Sequence, residues 1–244
     1  MKLYPLEPSS SLATNIARIS KKIKMNVLVK GWGITDSDSL VVIGNGTPDD
    51  IAFSIVAFHS NVDQIAGIVK PKEDGRRCSF INKIPLYLSD NTRKILILMD
   101  QEDDVLDTIY EQIKSDVEKF ATGKIEVIAE KTNERVRIYK GNYGSKKFKL
   151  ILVINGLEDT HTDKHSIEDH LLKAAEKVSI QVGDFKNSKE AWWSINNKQQ
   201  QEIFRKLKEH RKLVESVFPQ QVLGCQYLEG NIEDSQSFSD LQTA

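Results

Sequence analysis

KILILMDQEDDVLDTIYEQIKSDVEKF, residues 94–120, leaves the chain little choice of fold. Ile95–Met99 is an unbroken apolar run, the pattern of a parallel strand covered on both faces. The run stops in Asp100, Glu102, Asp103 and Asp104. Val105, Ile109, Ile113 and Val117 then recur at steps of four, with Phe120 three further on, which predicts a helix with one apolar stripe. A covered strand that feeds straight into a helix points to an α/β protein.

The rest of the chain agrees. Phe148–Ile154 is a second buried strand, and it too runs into acids, Glu158 and Asp159. After a loop bearing His161 and His165 comes SIEDHLLKAAEKV. Ser166 with Asp169 three residues later resembles a capping box, with Asp in place of Glu, and puts Glu168 and Asp169 in the first turn of a helix. Shorter apolar runs, Val27–Val29, Leu40–Ile43, Ile65–Val69 and Ile84–Leu88, read as further strands. KIEVIAE and RVRIYK form a hairpin around TNE, and GNYGSKK is a loop. In GNGTPDDIAF, Thr47 suits an N-cap, Pro48 the first helical position, and Asp49 and Asp50 the first turn. Strands alternating with helices predict a parallel or mixed sheet with helices on both faces.

Leu12, Ile16, Ile19 and Ile23 lie on one helical stripe. Ser188 to about Phe218 reads as one long helix carrying Trp192 and Trp193, and the end after about Tyr227 has the acidic, Ser-rich composition of disorder. The expected divisions are an N-terminal helix (1–25), an α/β core (26–187), a C-terminal helical region (188–226) and a disordered acidic tail (227–244).

The 34 basic and 35 acidic side chains nearly cancel, so any nucleic-acid surface must be a local patch. Cys78 and Cys225 are too few for a disulfide framework or a cysteine-rich metal site. No segment approaches the roughly 20 apolar residues that cross a bilayer. Met1 to Ser11 lacks the apolar run of a signal peptide, and a cytoplasmic protein that does not engage membranes is expected.

In an open α/β sheet, ligands bind outside the carboxyl ends of the strands. Asp100 and Glu102 stand at such an end, and Glu168 and Asp169 open a helix that follows another. If the two strands are neighbours, three or four carboxylates converge in one cleft. Such a convergence recruits a hard cation, and oxygen-only ligands favour Mg²⁺ or Mn²⁺. The expected ligands are Asp100, Glu102 and Glu168, supported by Asp169 or Asp104. The plainer reading is that these acids solvate a helix N-terminus, where the dipole favours them. Asn45 and Gly46, in the turn before the TPDD helix start, are candidates to hold a phosphate; the plainer reading is a tight βα turn.

LILMDQEDD and its following helix resemble the second acidic motif of TOPRIM domains, the fold shared by topoisomerases, primases and OLD-type nucleases. In that family a buried strand ends in D-x-D and holds Mg²⁺, so Asp100-Gln101-Glu102 would be a D-x-E variant. HSIEDHLL is similar to the helix-opening S-x-E-D segment of small archaeal and bacterial TOPRIM-like proteins, including those of the DUF3226 kind. The resemblance spans roughly residues 39–178. It implies a TOPRIM/Rossmann-like α/β fold and Mg²⁺-dependent phosphotransfer, most simply by a nuclease acting on DNA or RNA, with Glu168 catalytic. One departure stands out. TOPRIM domains begin with a strand ending in Glu-Gly, whose Glu serves as general acid/base, whereas VLVKG and VVIGNG give Lys30 or Asn45. The second register is preferred because the helix with Asp49 and Asp50 follows it directly. The competing expectation is a catalytically silent α/β module that binds a nucleotide or a protein partner.

Lys198, Arg205, Lys206, Lys208, Arg211 and Lys212 load one helix with positive charge. Arg205, Lys206 and Arg211 are therefore candidate nucleic-acid contacts, although a solvated helix with i to i+4 salt bridges is the plainer reading. Ile203, Phe204, Leu207, Leu213, Val214 and Val217 give it an apolar face for the sheet or for a second copy of the chain, as a homodimer. His59 reads as structural. His161, His165 and His170, without a Cys partner, read as surface loop and helix residues. No G-x-S-x-G, Walker A or G-x-G-x-x-G string is present.

Overall fold

The computed structural model describes residues 1–29, 37–44, 46–60, 63–70, 79–158, 164–183 and 185–232. Among these, seven strands make one sheet: β1 (Lys2–Pro5), β2 (Ser39–Val42), β3 (Ile65–Val69), β4 (Lys94–Asp100), β5 (Glu126–Ala129), β6 (Val136–Tyr143) and β7 (Lys146–Asn155). Their order is β1-β3-β2-β4-β7-β6-β5. The first five in that order are parallel, and β6 and β5 run antiparallel at one edge. The two long apolar runs are parallel neighbours, paired from Lys94–Lys149 to Asp100–Asn155. The hairpin read around TNE is β5–β6.

Side chains alternate across a strand, and both faces of the central strands are apolar. Val41, Ile43, Leu96, Leu98, Ile151 and Val153 belong to one core. It is covered by α1 (Ser11–Ile23), α2 (Thr47–His59), α5 (Ile167–Lys177) and the C-terminal helices α6 (Ser188–Ser194), α7 (Asn197–Glu209), α8 (Arg211–Val217) and α9 (Pro219–Glu229). Leu40, Val42, Ile95, Ile97, Leu150 and Leu152 face the opposite core. That side is covered by a 3-10 turn (Ser79–Lys83), α3 (Ile84–Ser89) and α4 (Leu106–Glu118). The fold is therefore α/β, with a mixed sheet and helices on both faces. Among the described residues, no helix is long and apolar enough to cross a membrane.

Several segments differ from the sequence reading. Ile84–Leu88 is helix α3, not a strand: Pro85 sits in its first turn, and Ile84 and Leu88, four apart, are the buried pair. An apolar run this short fits either period. Val27–Val29 contributes only a bridge, Leu28 to Leu3, whereas β1, too short to show a pattern, is a true strand. Residues 1–25 thus join the main sheet. Val105 is exposed at the N-cap of α4, and the stripe begins at Ile109.

The expected long helix breaks at Asn196 and His210, and beyond its expected end at Phe218 a further helix, α9, follows directly. Asn196 caps α7 by accepting from the amides of Lys198 and Gln199 at 3.1 Å, and Pro219 opens α9. α9 runs on to Glu229, past the expected start of the tail, and residues 233–244 lie outside the described ones. α9 crosses the sheet closely: a Cβ on Gly224 would stand 2.7 Å from Val153 Cγ2 and 2.9 Å from Leu96 Cδ1.

Candidate functional site

Asp100 ends β4 on the face shared by Leu96 and Leu98, the side of α2 and α5. Its Oδ1 accepts the Asn155 side-chain amide at 3.1 Å and the Ile167 backbone N–H at 3.0 Å. Ile167 is the first residue of α5, so the last side chain of β4 caps the helix that follows β7. The acids at 100–104 thus do not simply solvate the helix next in sequence. Asp103 and Asp104 are exposed in the turn before α4, with Asp103 3.9 Å from Lys164.

Glu102 takes the left-handed backbone conformation, φ 57°, which is costly for a residue with a Cβ. Two backbone hydrogen bonds to His165, at 2.8 and 2.9 Å, hold it there. Gln101 between the two acids is braced by Arg135, whose Nη1 donates to Gln101 Oε1 at 2.6 Å.

Glu168 is in the first turn of α5 and only 4% exposed. Its Oε2 is buried and has no hydrogen-bond partner among the described residues. Its charge acts on both Asp100 and Asp49.

Asp49 is the member that the sequence reading left out. It is buried in the first turn of α2 and folds back onto the preceding turn. A Cβ on Gly44 would lie 2.6 Å from Asp49 Oδ1, and one on Gly46 would lie closer still to Oδ2, so the two glycines make room for the carboxylate. Gly46, expected to cradle a phosphate, lies against Asp49; Asn45 and Lys30 fall outside the described residues. The adjacent Asp50 points elsewhere, to Lys70 at 3.0 Å and Asn15 at 2.8 Å.

The electrostatics follow from burial. Asp49 is pushed well above the usual carboxylate range by burial, then by Asp100 and Glu168, with Lys70 opposing. Burial raises Asp100 to about 6 against the pull of the Asn155 hydrogen bond and Lys189, with Glu168 and Glu102 adding to the rise. Glu168 is raised by burial as well, against hydrogen bonds from the Ser166 side chain and its own backbone amide and the pull of Lys189. Lys189, from α6, is the cation of the cluster. Its Nζ bonds Glu102 Oε1 at 2.5 Å and lies 4.0 Å from Asp100 Oδ2. Burial works against its charge, but the Glu102 bond and the charges of Asp100 and Glu168 outweigh it and raise its pKa.

Asp169 organises the loop around the site. Its Oδ2 accepts from the amides of Leu157 at 3.3 Å and Ser166 at 3.4 Å and pairs with His165 Nδ1 at 3.1 Å. Its Oδ1 accepts the Ser188 hydroxyl. The capping box expected from Ser166 and Asp169 is present. His170 is fully buried, contrary to the surface position expected of it. Its Nε2 accepts from the Gly156 amide at 3.2 Å, and its Nδ1 meets the Val217 carbonyl. Burial lowers its pKa to about 4, so the ring is neutral. His59 bonds the Leu207 carbonyl at 2.9 Å and is structural, as read; His161 lies outside the described residues.

The basic helix follows the plainer reading. Arg205 pairs with Glu202 and Glu209, Arg211 with Glu215, and Lys206 is half-buried beside them. The apolar face of α7 is consumed inside the chain: Ile203, Phe204 and Leu207 are buried against α1, α2 and α5, and Phe204 packs on Trp192 at 5.6 Å. It packs on other helices of the same chain. Trp193 is 59% exposed. Compared with protein-family models, curated proteins and solved structures, the chain finds no match.

Proposed function

We propose that this chain is a TOPRIM-like, Mg²⁺-dependent phosphotransfer protein, most simply a nuclease acting on DNA or RNA. One observation carries the reading: among the described residues, Glu168 Oε2 is buried without a hydrogen-bond partner, in a carboxyl group whose charge acts on Asp100 and Asp49. An unpaired buried acceptor costs about 1–3 kcal/mol, and more when charged. A hard cation relieves both that cost and the mutual repulsion of the carboxylates. Asp49, Asp100 and Glu168 would hold it, with Glu102 alongside. Among the described residues, no group of three His, Cys, Asp or Glu side chains is placed to hold a metal ion.

A bound Mg²⁺ supplies charge stabilisation at a phosphoryl oxygen and an acidified water. The chain's own residues supply the rest. Asp49 offers a buried carboxyl group in the first turn of α2. It stands against the turn after β2, where the resemblance expects a Glu and the sequence has Asn45. Asp169 is a positioning residue, which fits its hydrogen bonds better than a ligand role does. Lys189 favours the second reading, a silent binding module, because it already neutralises part of the cluster.

Mn²⁺ calorimetry on the wild type and Glu168→Gln, beside cleavage assays on DNA and RNA, separates the two. The proposal expects Mn²⁺ binding, weakened at least tenfold in Glu168→Gln, and metal-dependent cleavage lost with it. A wild type that neither binds Mn²⁺ nor cleaves is the silent module.

A further inference from the structure

We infer that Arg135 is the anchor for a phosphate group of the ligand, held across the carboxyl ends of β4 and β7 by Gln101 and given room by the bare Cα of Gly156. The inference rests on the phosphotransfer reading above and adds the residue that takes hold of the phosphate.

Arg135 directly precedes β6. Its carbonyl accepts the Ile154 N–H at 2.9 Å near the end of β7, and its Nη1 donates at 2.6 Å to Oε1 of Gln101, the residue after β4. The guanidinium thus reaches between the carboxyl ends of two parallel neighbours, where an open α/β sheet takes its ligands. A Cβ on Gly156, just past β7, would stand 3.2 Å from that Nη1 and 2.5 Å from His165 Cβ. Gly156 has φ 126°, a conformation open to glycine, and its missing side chain lets the guanidinium and His165 come together. His165 is fixed in turn. Its Nδ1 pairs with Asp169 at 3.1 Å, and its backbone bonds Glu102 at 2.8 and 2.9 Å.

The fold uses little of this guanidinium. An arginine has five side-chain N–H donors. Arg135 is only 6% exposed, and among the described residues the bond to Gln101 is the one that engages them. Gln101 is neutral, so that bond leaves the charge unbalanced. Burial lowers the Arg135 pKa, with the charges of Glu158 and Glu134 opposing, and Glu158 raises Glu134 in turn. A buried planar fork with spare donors suits a bidentate oxyanion, and phosphate is the oxyanion that the reading above requires. Arg205 and Arg211, by contrast, spend their guanidinium groups on Glu202, Glu209 and Glu215. A phosphodiester of a nucleic acid and the terminal phosphate of a nucleotide offer the same oxygens.

Binding in EDTA to wild type, Arg135→Lys and Arg135→Gln tests the inference. The probes are a 3′-labelled oligothymidylate without a terminal phosphate, read by fluorescence anisotropy, and thymidine 5′-monophosphate, read by calorimetry. Whichever probe binds the wild type should bind Arg135→Gln about tenfold more weakly or worse. For the oligonucleotide, the slope of log affinity against log salt should also become shallower by about 0.7, one phosphate contact on a single strand. Arg135→Lys should keep that slope and lose part of the affinity, since it keeps the charge but not the fork. Binding of the oligonucleotide identifies a backbone phosphate, and binding of the monophosphate alone a terminal one; either supports the inference. Circular dichroism checks the fold of the variants. If Arg135→Gln does not fold, the Arg135 Nε–H resonance of the ¹⁵N-labelled wild type reads the same contact and should shift as the probe is added. Undiminished affinity in folded Arg135→Gln, a resonance that does not move, or binding of neither probe overturns the inference. Mn²⁺ calorimetry on the same wild type keeps the two claims apart: Mn²⁺ bound without Arg135-dependent phosphate binding leaves the metal reading standing, and the reverse leaves the anchor standing without it.

Discussion

Asp100 holds its proton up to about pH 6, against 3.8 for an ordinary aspartate, chiefly because it is buried. A carboxyl group whose folded pKa is raised favours the folded state while protonated. Its contribution is complete below about pH 4 and is lost as pH rises through about 6. About two pKa units at about 1.36 kcal/mol each give a loss of about 3 kcal/mol at pH 7 in the metal-free protein. Asp49 and Glu168, also raised by burial, act in the same direction, and His170, lowered to about 4, acts in the opposite one, so the wild-type slope is a sum over all of them. The difference from Asp100→Asn reports Asp100 together with its coupling to Asp49. An amide oxygen at this position still accepts from Ile167 N–H and the Asn155 amide, but carries no charge. Urea unfolding of both proteins from pH 4 to 7, with divalent ions removed, is the assay. Between those limits the variant should gain about 3 kcal/mol on the wild type. Parallel stability curves would refute the argument that Asp100 is a strained carboxylate.

Two further outcomes test the frame around the site. Gly224→Ala drives a methyl into Leu96 and Val153 beneath α9 and should cost about 1–3 kcal/mol in unfolding free energy; an unchanged melting temperature would mean that α9 does not seat on the sheet. His170→Leu leaves the Gly156 amide and the Val217 carbonyl without their buried partner. It should cost at least about 2 kcal/mol and abolish the acid-side loss of stability that His170 causes, and a variant with that loss intact contradicts the assignment.

The sheet was legible because its central strands are apolar on both faces, as parallel strands covered on both sides are. β4 and β7 read correctly for that reason, and their shared direction brings Asp100 beside Asn155. Ile84–Leu88 misread because five residues cannot separate a period of two from one of 3.6. The breaks in the C-terminal helix were present as Asn196 and Pro219 but were outweighed by the helix-forming composition around them. Asp49 was read as an acid of the first helical turn; the signal for its other role was the pair of glycines at 44 and 46, which leave space only for a side chain folding back. Lys189 had no local signal, since its partner Glu102 is 87 residues away. Tertiary placement alone makes a surface lysine part of the site.

The central claim is that the carboxyl ends of β2 and β4 and the start of α5 form a cation site. A crystal soaked in Mn²⁺ and measured at the manganese absorption edge tests it most directly. The account predicts one anomalous peak within ligand distance of Asp49, Asp100 and Glu168, with Lys189 still bonded to Glu102. A peak elsewhere, such as at the exposed Asp103 and Asp104, or no peak at saturating Mn²⁺, would contradict it.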